Sequence, residues 1–278
     1  MIRTDNAFWW YLVGLAQTDG HLRGARDKKG DLSIELSKKD LDILKKVASQ
    51  LGCGYSISER TRSTNFSESA TSVTLRVFDM QFRNQINDCG VPYGRKSDIL
   101  SAPSSLPDVF ICDYMRGLWD GDGSVGITAT GIPFMSFTTS SDKIKEFLVG
   151  LISAITGKPG KNPNRNTRDQ IYNICVYKED AVLLAKALYR DGCTALDRKL
   201  HEAKRVQNWI RPESMPMREV PQKKWDKEQD EFVLTHSVEE SQDHLSRSLS
   251  SIHTRLWRLT GANNPVLNVS GLRDRQDV

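Results

Sequence analysis

The chain has 278 residues, 38% of them hydrophobic and 27% charged, with a net charge of +4. That length supports one large core or two modest ones plus a small appended module, and the mild excess of base is compatible with a polyanionic partner without requiring one. The five cysteines are scattered with no C-x-x-C pair, which argues against a disulfide framework or a cysteine zinc site and fits a reducing compartment.

The first element is the apolar run in MIRTDNAFWWYLVGLAQTDG. It is about ten residues long, too short to span a bilayer. It follows an Asp and lacks a small-residue cleavage site, so it reads as a helix and not as a signal peptide. A soluble chain with no membrane partner is expected, in the cytoplasm, an organelle matrix or a phage-infected bacterial cytoplasm. DLSIELS then alternates as a strand, and Leu41, Leu44, Val47 and Leu51 fall at helical spacing before Gly52. TSVTLRVF is a further strand, followed by a short helix through Phe82 and Ile86. The connector SAPSSLP at 101–107 is too short to act as a free tether. Beyond a second apolar helix ending in GLWDGDGS come the strand PFMSFTT, a helix through Ile144, Phe147, Leu151 and Ile155 ending at Gly157, the strand IYNICVY, and a helix from Ala181 to Tyr189. HLRGAR and VGITAT are weaker strands, each directly after an apolar helix.

The two halves repeat. Leu12–Gly20 (LVGLAQTDG) aligns with Met115–Gly123 (MRGLWDGDG) at an offset of 103, sharing glycines, a leucine and an aspartate in register. Asp88, Arg95 and Lys96 recur as Asp191, Arg198 and Lys199 at the same offset. The chain therefore reads as α+β, with two αββαββα halves.

The helix ends carry the chemistry. A helix C-terminus favours cations, so Asp19 and Asp122 are at the wrong end, while Gly20 and Gly123 behind them read as helix stops. A divalent cation would compensate the charge, and a hard, oxygen-rich site suits Mg2+. Small residues in Gly14-x-x-x-Thr18 and Gly117-x-x-x-Gly121 let two such helices approach closely and set both aspartates side by side. Adjacent carboxylates of this kind can hold metal and an attacking water for phosphodiester hydrolysis. A calcium loop beginning at Asp120 fails, since Val125 and Gly131 occupy the positions that need Gly and Glu.

These paired segments resemble the motifs of LAGLIDADG homing endonucleases, in the single-chain form with two motif copies, over about residues 7–205. The resemblance implies pseudo-twofold halves with the motif helices at their interface and two curved antiparallel sheets forming a saddle over double-stranded DNA. It implies Mg2+ at Asp19 and Asp122, helped by backbone carbonyls near Thr18 and Gly121, with Mn2+ or Ca2+ able to substitute in binding. It further implies a basic or polar residue after the second strand of each half, close to the scissile phosphate. Lys38 matches in the first half. In the second only Thr139 and Ser140 stand there, so support would be weaker there or would come from Lys199. The sixth motif position is Gln17 in one copy and Asp120 in the other. Its repeat partner makes Lys96, like Lys199, a candidate for the DNA backbone.

Donors for DNA are spread over both halves: Arg23, Arg26, Lys28, Arg60, Arg62 and Arg76 in the first, and Lys158, Lys161, Arg165, Arg168 and Gln170 in the second. After WIRPESMPMREVPQKK, a semi-extended linker, WDKEQDEFVLTHSVEESQDHLSRSLSSIHTRLWRLTG reads as three short helices around Trp225, Phe232, Leu234, Leu245, Leu249, Ile252, Leu256 and Leu259. SRSLSSIHTRLWRL resembles the last helix of Myb-like or sigma-factor-like helix-turn-helix modules, with Ser251, His253, Thr254, Arg255 and Arg258 facing outward.

The expected organisation is a first half at 1–103, a second at 104–208, a linker at 209–224, the helix-turn-helix module at 225–261 and a tail at 262–278. The leading expectation is a monomeric site-specific endonuclease. Two others stand beside it: a non-cleaving DNA-binding regulator and a maturase that binds intron RNA. An intein is disfavoured, because the chain starts with Met1-Ile2 and ends in Asp277-Val278.

Overall fold

Residues AFWWYLVGLAQT form α1 (Ala7–Thr18), opened by the Asn6 side chain accepting from Trp9 N at 2.8 Å. Trp9 through Gln17 are all buried, so this helix is a core element on every side. The computed structural model describes residues 5–64, 67–158, 163–215 and 224–261. The chain divides into two units, Met1–Arg211 and Pro212–Val278.

In the first unit the chain turns from α1 directly into β1 (Gly20–Leu22) and returns as β2 (Leu32–Ser37). Then come α2 (Leu41–Gln50), the long hairpin β3 (Tyr55–Thr64) and β4 (Ser67–Val77), and α3 (Met80–Asp88). The four strands form an antiparallel sheet in the order β1-β2-β4-β3. Period-two alternation buries Ile34, Leu36, Val73 and Leu75 against α1 and α2 and turns the alternate residues outward. This half is αββαββα, as the sequence predicts, although β3 is too polar to stand out in it.

The second half opens with α4 (Ile111–Asp122), β5 (Gly123–Ile127), β6 (Pro133–Thr139) and α5 (Asp142–Thr156), which Gly157 stops at φ 67°. β7 (Tyr172–Tyr177), α6 (Lys178–Leu188) and α7 (Asp197–Gln207) complete it. Its sheet has three strands among the described residues, in the order β5-β6-β7. Among those residues β3 has no counterpart in this half, and no strand pairs with the far edge of β7. A cavity of about 470 Å³ opens at that edge, between Val149 and Ile152 of α5 and Ile174 and Val176 of β7.

The second unit contains α8 (Lys227–Thr235), α9 (Val238–Leu245) and α10 (Leu249–Thr260), the three helices expected. α9 starts with a capping box between Ser237 and Glu240. Its core is smaller than expected: Val233, Val238, Ile252 and Leu256, with Trp225 and Leu245 packed against them. Leu234, Leu249 and Leu259 are exposed, as is Trp257 at 59%. The predicted tail and linker residues 216–223 lie outside the described residues. No described helix is long and apolar enough to cross a membrane.

Candidate active site at the paired helix ends

α1 and α4 pack face to face, and the contact needs glycine. A Cβ at Gly14 would strike the Tyr114 carbonyl oxygen, and one at Gly117 would strike that of Tyr11. The contact is reciprocal, since Gly14 and Gly117, like Tyr11 and Tyr114, are partners in the 103-residue repeat. The tyrosines also cross the interface as donors. Tyr11 Oη donates to Asp120 Oδ2 at 2.8 Å, and Tyr114 Oη donates to Gln17 Oε1. The sixth motif position therefore anchors the interface in both halves. Asp120 also accepts from Tyr189 Oη at 2.8 Å and Leu196 N at 2.6 Å. Gln17 Nε2 donates to the carbonyls of Gly90 and Ser101. Burial raises the Asp120 carboxyl, and its three donors offset only part of that rise.

The same packing brings the acids together. A Cβ placed on Gly121 would overlap Thr18 and lie 3.0 Å from Asp19 Oδ2, so the Asp19 carboxylate rests over the end of α4. Desolvation by burial, and then repulsion from Asp122, push Asp19 up to about 6. Asp122 is raised as well, chiefly by desolvation. Gly20 and Gly123 are not left-handed stops, the role the sequence suggested. Neither has positive φ. A side chain at either would collide with its own helix end, at Ala16 or Trp119, where the chain bends into a strand.

Lys96 and Lys199 reach the site from behind. Lys96 Nζ donates to the carbonyls of Ala16, Gln17 and Thr18 at 2.9, 2.7 and 2.7 Å. Lys199 Nζ donates to those of Trp119, Asp120 and Gly123 at 2.8, 2.6 and 2.7 Å, with Gly121 O at 3.4 Å. Each ammonium has three protons, all of them engaged, and burial lowers both lysines to about 8. The reading of Lys96 as a backbone contact for DNA changes accordingly: no proton remains for a phosphate. Lys199 touches the Gly121 carbonyl and is 5% exposed, placing its charge under the aspartates. The compensating positive charge that the sequence assigned wholly to a metal is supplied in part by the protein.

A cavity of about 200 Å³ opens beside Asp122, lined by Gln17, Thr18, Ser97, Thr138, Thr139 and Ser140. Thr139 and Ser140, at the end of β6, thus share this cavity with Asp122. Lys38 sits in the 3-10 turn after β2 and pairs with Glu59 at 2.8 Å, both side chains exposed. Two further links tie the halves: Arg198 meets Asp40 through a two-pronged contact at 2.9 and 3.1 Å, and Lys46 meets Asp197 at 2.8 Å. Nothing in the sequence signalled either. The tyrosine pair was detectable, because Tyr11 and Tyr114 share the repeat offset.

Two carboxylates raised by burial, and at Asp19 also by repulsion from Asp122, fit a divalent cation, which would compensate both charges. Among the described residues no cluster of three or more His, Cys, Asp or Glu exists. Mg2+ fits such a sparse set, since it keeps several waters and takes few carboxylates together with substrate phosphate oxygens.

The candidate DNA donors separate into held and unheld groups. Arg23 pairs with Asp31, Arg26 with Asp88, Lys158 with Asp180 and Arg168 with Asp169. Arg165 is an internal strut that donates to the carbonyls of Gln170 and Ser140, pairs with Asp142 and lies over the Tyr172 ring. Its assignment to DNA changes to holding the 163–171 loop. Arg60, Arg62 and Arg76 lie on the outward face of the first sheet, and Arg62 meets Glu35 at 3.4 Å. Lys28 and Gln170 are exposed, and Lys161 lies outside the described residues. On α10, His253, Thr254 and Arg258 are exposed and Ser251 is half-buried, whereas Arg255 is bound to Asp230.

Residues 110–188 match the family model described as a LAGLIDADG-like domain. Among solved structures, I-WcaI bound to its DNA recognition sequence aligns over 71% of this chain and 85% of that one, with TM-score 0.50 and 10% identity. I-SmaMI bound to an uncleaved DNA target with calcium aligns over 66% and 84%, with TM-score 0.42 and 13% identity. The N-terminal LAGLIDADG domain of DUF199/WhiA aligns over 72% and 86%, with TM-score 0.43 and 12% identity. No curated protein matches the sequence.

Proposed function

We propose that the chain, which has the LAGLIDADG fold and matches a LAGLIDADG-like domain over residues 110–188, is a site-specific endonuclease of double-stranded DNA. The observation that carries this reading is the convergence of Asp19 and Asp122, one from each half, at two helix ends held in contact by glycine. A regulator that only binds DNA gains nothing from two mutually repelling carboxylates, whereas a hydrolase needs them.

Hydrolysis adds water across one phosphodiester per strand: the water oxygen bonds phosphorus, and the ester oxygen leaves with a proton. Bound Mg2+ would neutralise phosphate charge and make water a better nucleophile. Asp19 and Asp122 would hold it, with help from the carbonyls near Thr18 and Gly121. Lys96 and Lys199 fix those carbonyls and hold positive charge beneath the acids. The tyrosine pair and the glycines keep both ends in register, so that each acid would serve one strand. The α8–α10 unit would add phosphate contacts through His253, Thr254 and Arg258, with Ser251 beside them, in the manner of a helix-turn-helix.

The test is cleavage of a plasmid library carrying genomic segments, including the gene's own flanks, with Mg2+ present. Linear product is expected from the unaltered chain. Asp122→Asn should bind the same site and leave it intact. Normal cleavage by Asp122→Asn would sink the proposal, and so would binding to intron RNA in preference to every duplex offered.

A further inference from the structure

The outward faces of the two sheets are built alike but differ in chemistry. On the first sheet, strand register places Ser56, Arg76, Ser33 and His21 in one row across four strands. Ser58, Thr74 and Glu35 form the next row, and Arg60, Ser72 and Ser37 the third. On the second sheet, Tyr177, Phe134 and Gly126 form one row, Cys175, Ser136 and Ser124 the next, and Asn173 and Thr138 the third. Among the described residues, no outward strand position of the second sheet is charged.

The rows can be matched without any sequence alignment. Gly20 opposes Ile34 and Ile34 opposes Leu75 in the first half; Gly123 opposes Phe137 and Phe137 opposes Ile174 in the second. Stepping one residue outward from these pairs, Arg76 and Cys175 occupy equivalent positions. Arg76 is half-buried, opposes Ser33 and Ser56 in the strand register, and has a buried Nε with no hydrogen-bond partner. Arg60 is exposed, and its carbonyl accepts from Ser72 Oγ. At the equivalent site in the second half, Cys175 is flanked by the exposed Tyr177 and by Asn173.

Side chains of this kind read different bases. Arginine pairs with the two acceptors of guanine in the major groove, asparagine with adenine, and apolar groups contact the thymine methyl. We infer that the DNA target is lopsided: Arg76 and Arg60 read guanines in one half-site, while Tyr177, Phe134 and Asn173 read an A·T-rich run in the other. This rests on the duplex-DNA reading above and names the sequence class of its two half-sites.

The test uses full-length Asp122→Asn chain and a randomised duplex library, with bound fragments sequenced. Two unequal half-sites are expected, one with defined guanines and one A·T-rich. Arg76→Gln should lower the preference for one guanine about tenfold or more, within one half-site only. Arg60→Gln, at an exposed position, gives the same readout without risk to the fold. Cys175→Arg should create a guanine preference in the A·T-rich half, at the position symmetric to the one Arg76 reads. Equal guanine content in both half-sites would overturn the inference. So would arginine variants that weaken binding to all sequences uniformly, since that is the signature of phosphate contact. Failure to enrich any duplex sequence would overturn both this inference and the functional reading beneath it, whereas enrichment of a symmetric site would remove this inference alone.

Discussion

Lys96 and Lys199 stand one repeat apart and do the same thing: each drives its ammonium into the last carbonyls of its own half's motif helix, 2.7 Å from Thr18 O in one and 2.6 Å from Asp120 O in the other. Acids beyond a helix C-terminus oppose the helix dipole. A lysine seated among those carbonyls reverses the local sign and makes the arrangement tolerable. Both lysines also lower the proton affinity of Asp19. Lys199→Met should therefore move Asp19 from about 6 to a higher value, while leaving buried carbonyls unpaired at about 1–3 kcal/mol. Carboxyl-carbon NMR titration checks the first effect and thermal unfolding the second. An unmoved Asp19 would mean that the lysine is a structural pin without electrostatic reach into the site.

The helix contact makes a sharper demand. Gly14→Ala and Gly117→Ala each put a methyl group into a facing backbone carbonyl, which cannot rotate away. The helices must separate, and a loss of about 2–4 kcal/mol is expected, with cleavage lost as well. Gly150, in the middle of α5, has open space where a Cβ would stand, with no atom beyond its own stretch of helix within 4 Å. Gly150→Ala should therefore stabilise by about 0.5–1 kcal/mol. Melting temperatures of the three variants decide it: glycines that act only through helix propensity would all shift the same way.

Legibility in the sequence followed the strength of the local signal. Strands with clean alternation, such as Pro133–Thr139, were readable to the residue because one face is buried. Tyr55–Thr64 was not, since it is an edge strand with polar residues on both faces, held by pairing with β4. Asp19 and Asp122 were legible because they break a rule of helix ends. The jobs of Lys96, Lys199 and Arg165 were not, because a basic residue in a sequence looks the same whether it faces phosphate or a carbonyl folded in from far along the chain. Asp120 was separated from Asp122 by repeat position alone, and its three donors explain why one acid is sealed and the other exposed.

The Asp19 carboxyl gives a pH signature. Its value in the fold, about 6, lies above the ordinary 3.8, so its charge opposes folding. The stability associated with the neutral form is complete in acid and is lost as pH rises through about 6. With the metal absent, Asp19→Asn should thus be more stable than the unaltered chain at alkaline pH, by about 1–2 kcal/mol once solvent screening is allowed for. The gain should disappear in acid. Mg2+ should stabilise the unaltered chain and have little effect on the variant. Cleavage should fall below about pH 6 as Asp19 protonates, and above about pH 8 as Lys96 and Lys199 lose their protons. Raising Mg2+ should move the acid limb downward, because the cation competes with the proton, and leave the alkaline limb in place. A less stable Asp19→Asn at alkaline pH would show that the pair is not strained.

The two halves also differ in what lies beyond the acids. After β2 the first half offers Lys38, whose ammonium is exposed and tied only to the exposed Glu59. After β6 the second half offers Thr139 and Ser140, neutral groups lining the cavity beside Asp122. An exposed ion pair is worth about 1 kcal/mol or less, so Lys38 can leave Glu59 for a phosphate at little cost. Thr139 and Ser140 carry no charge to lend. The strands should therefore be cut at unequal rates, with nicked plasmid accumulating before linear product. Lys38→Ala should slow the faster cut toward the slower one and abolish the lag between them. Ser140→Lys should speed the slower cut. Strand-specific end labels in a time course resolve both rates, and equal rates in the unaltered chain would show that neither Lys38 nor its neutral counterparts set the chemistry.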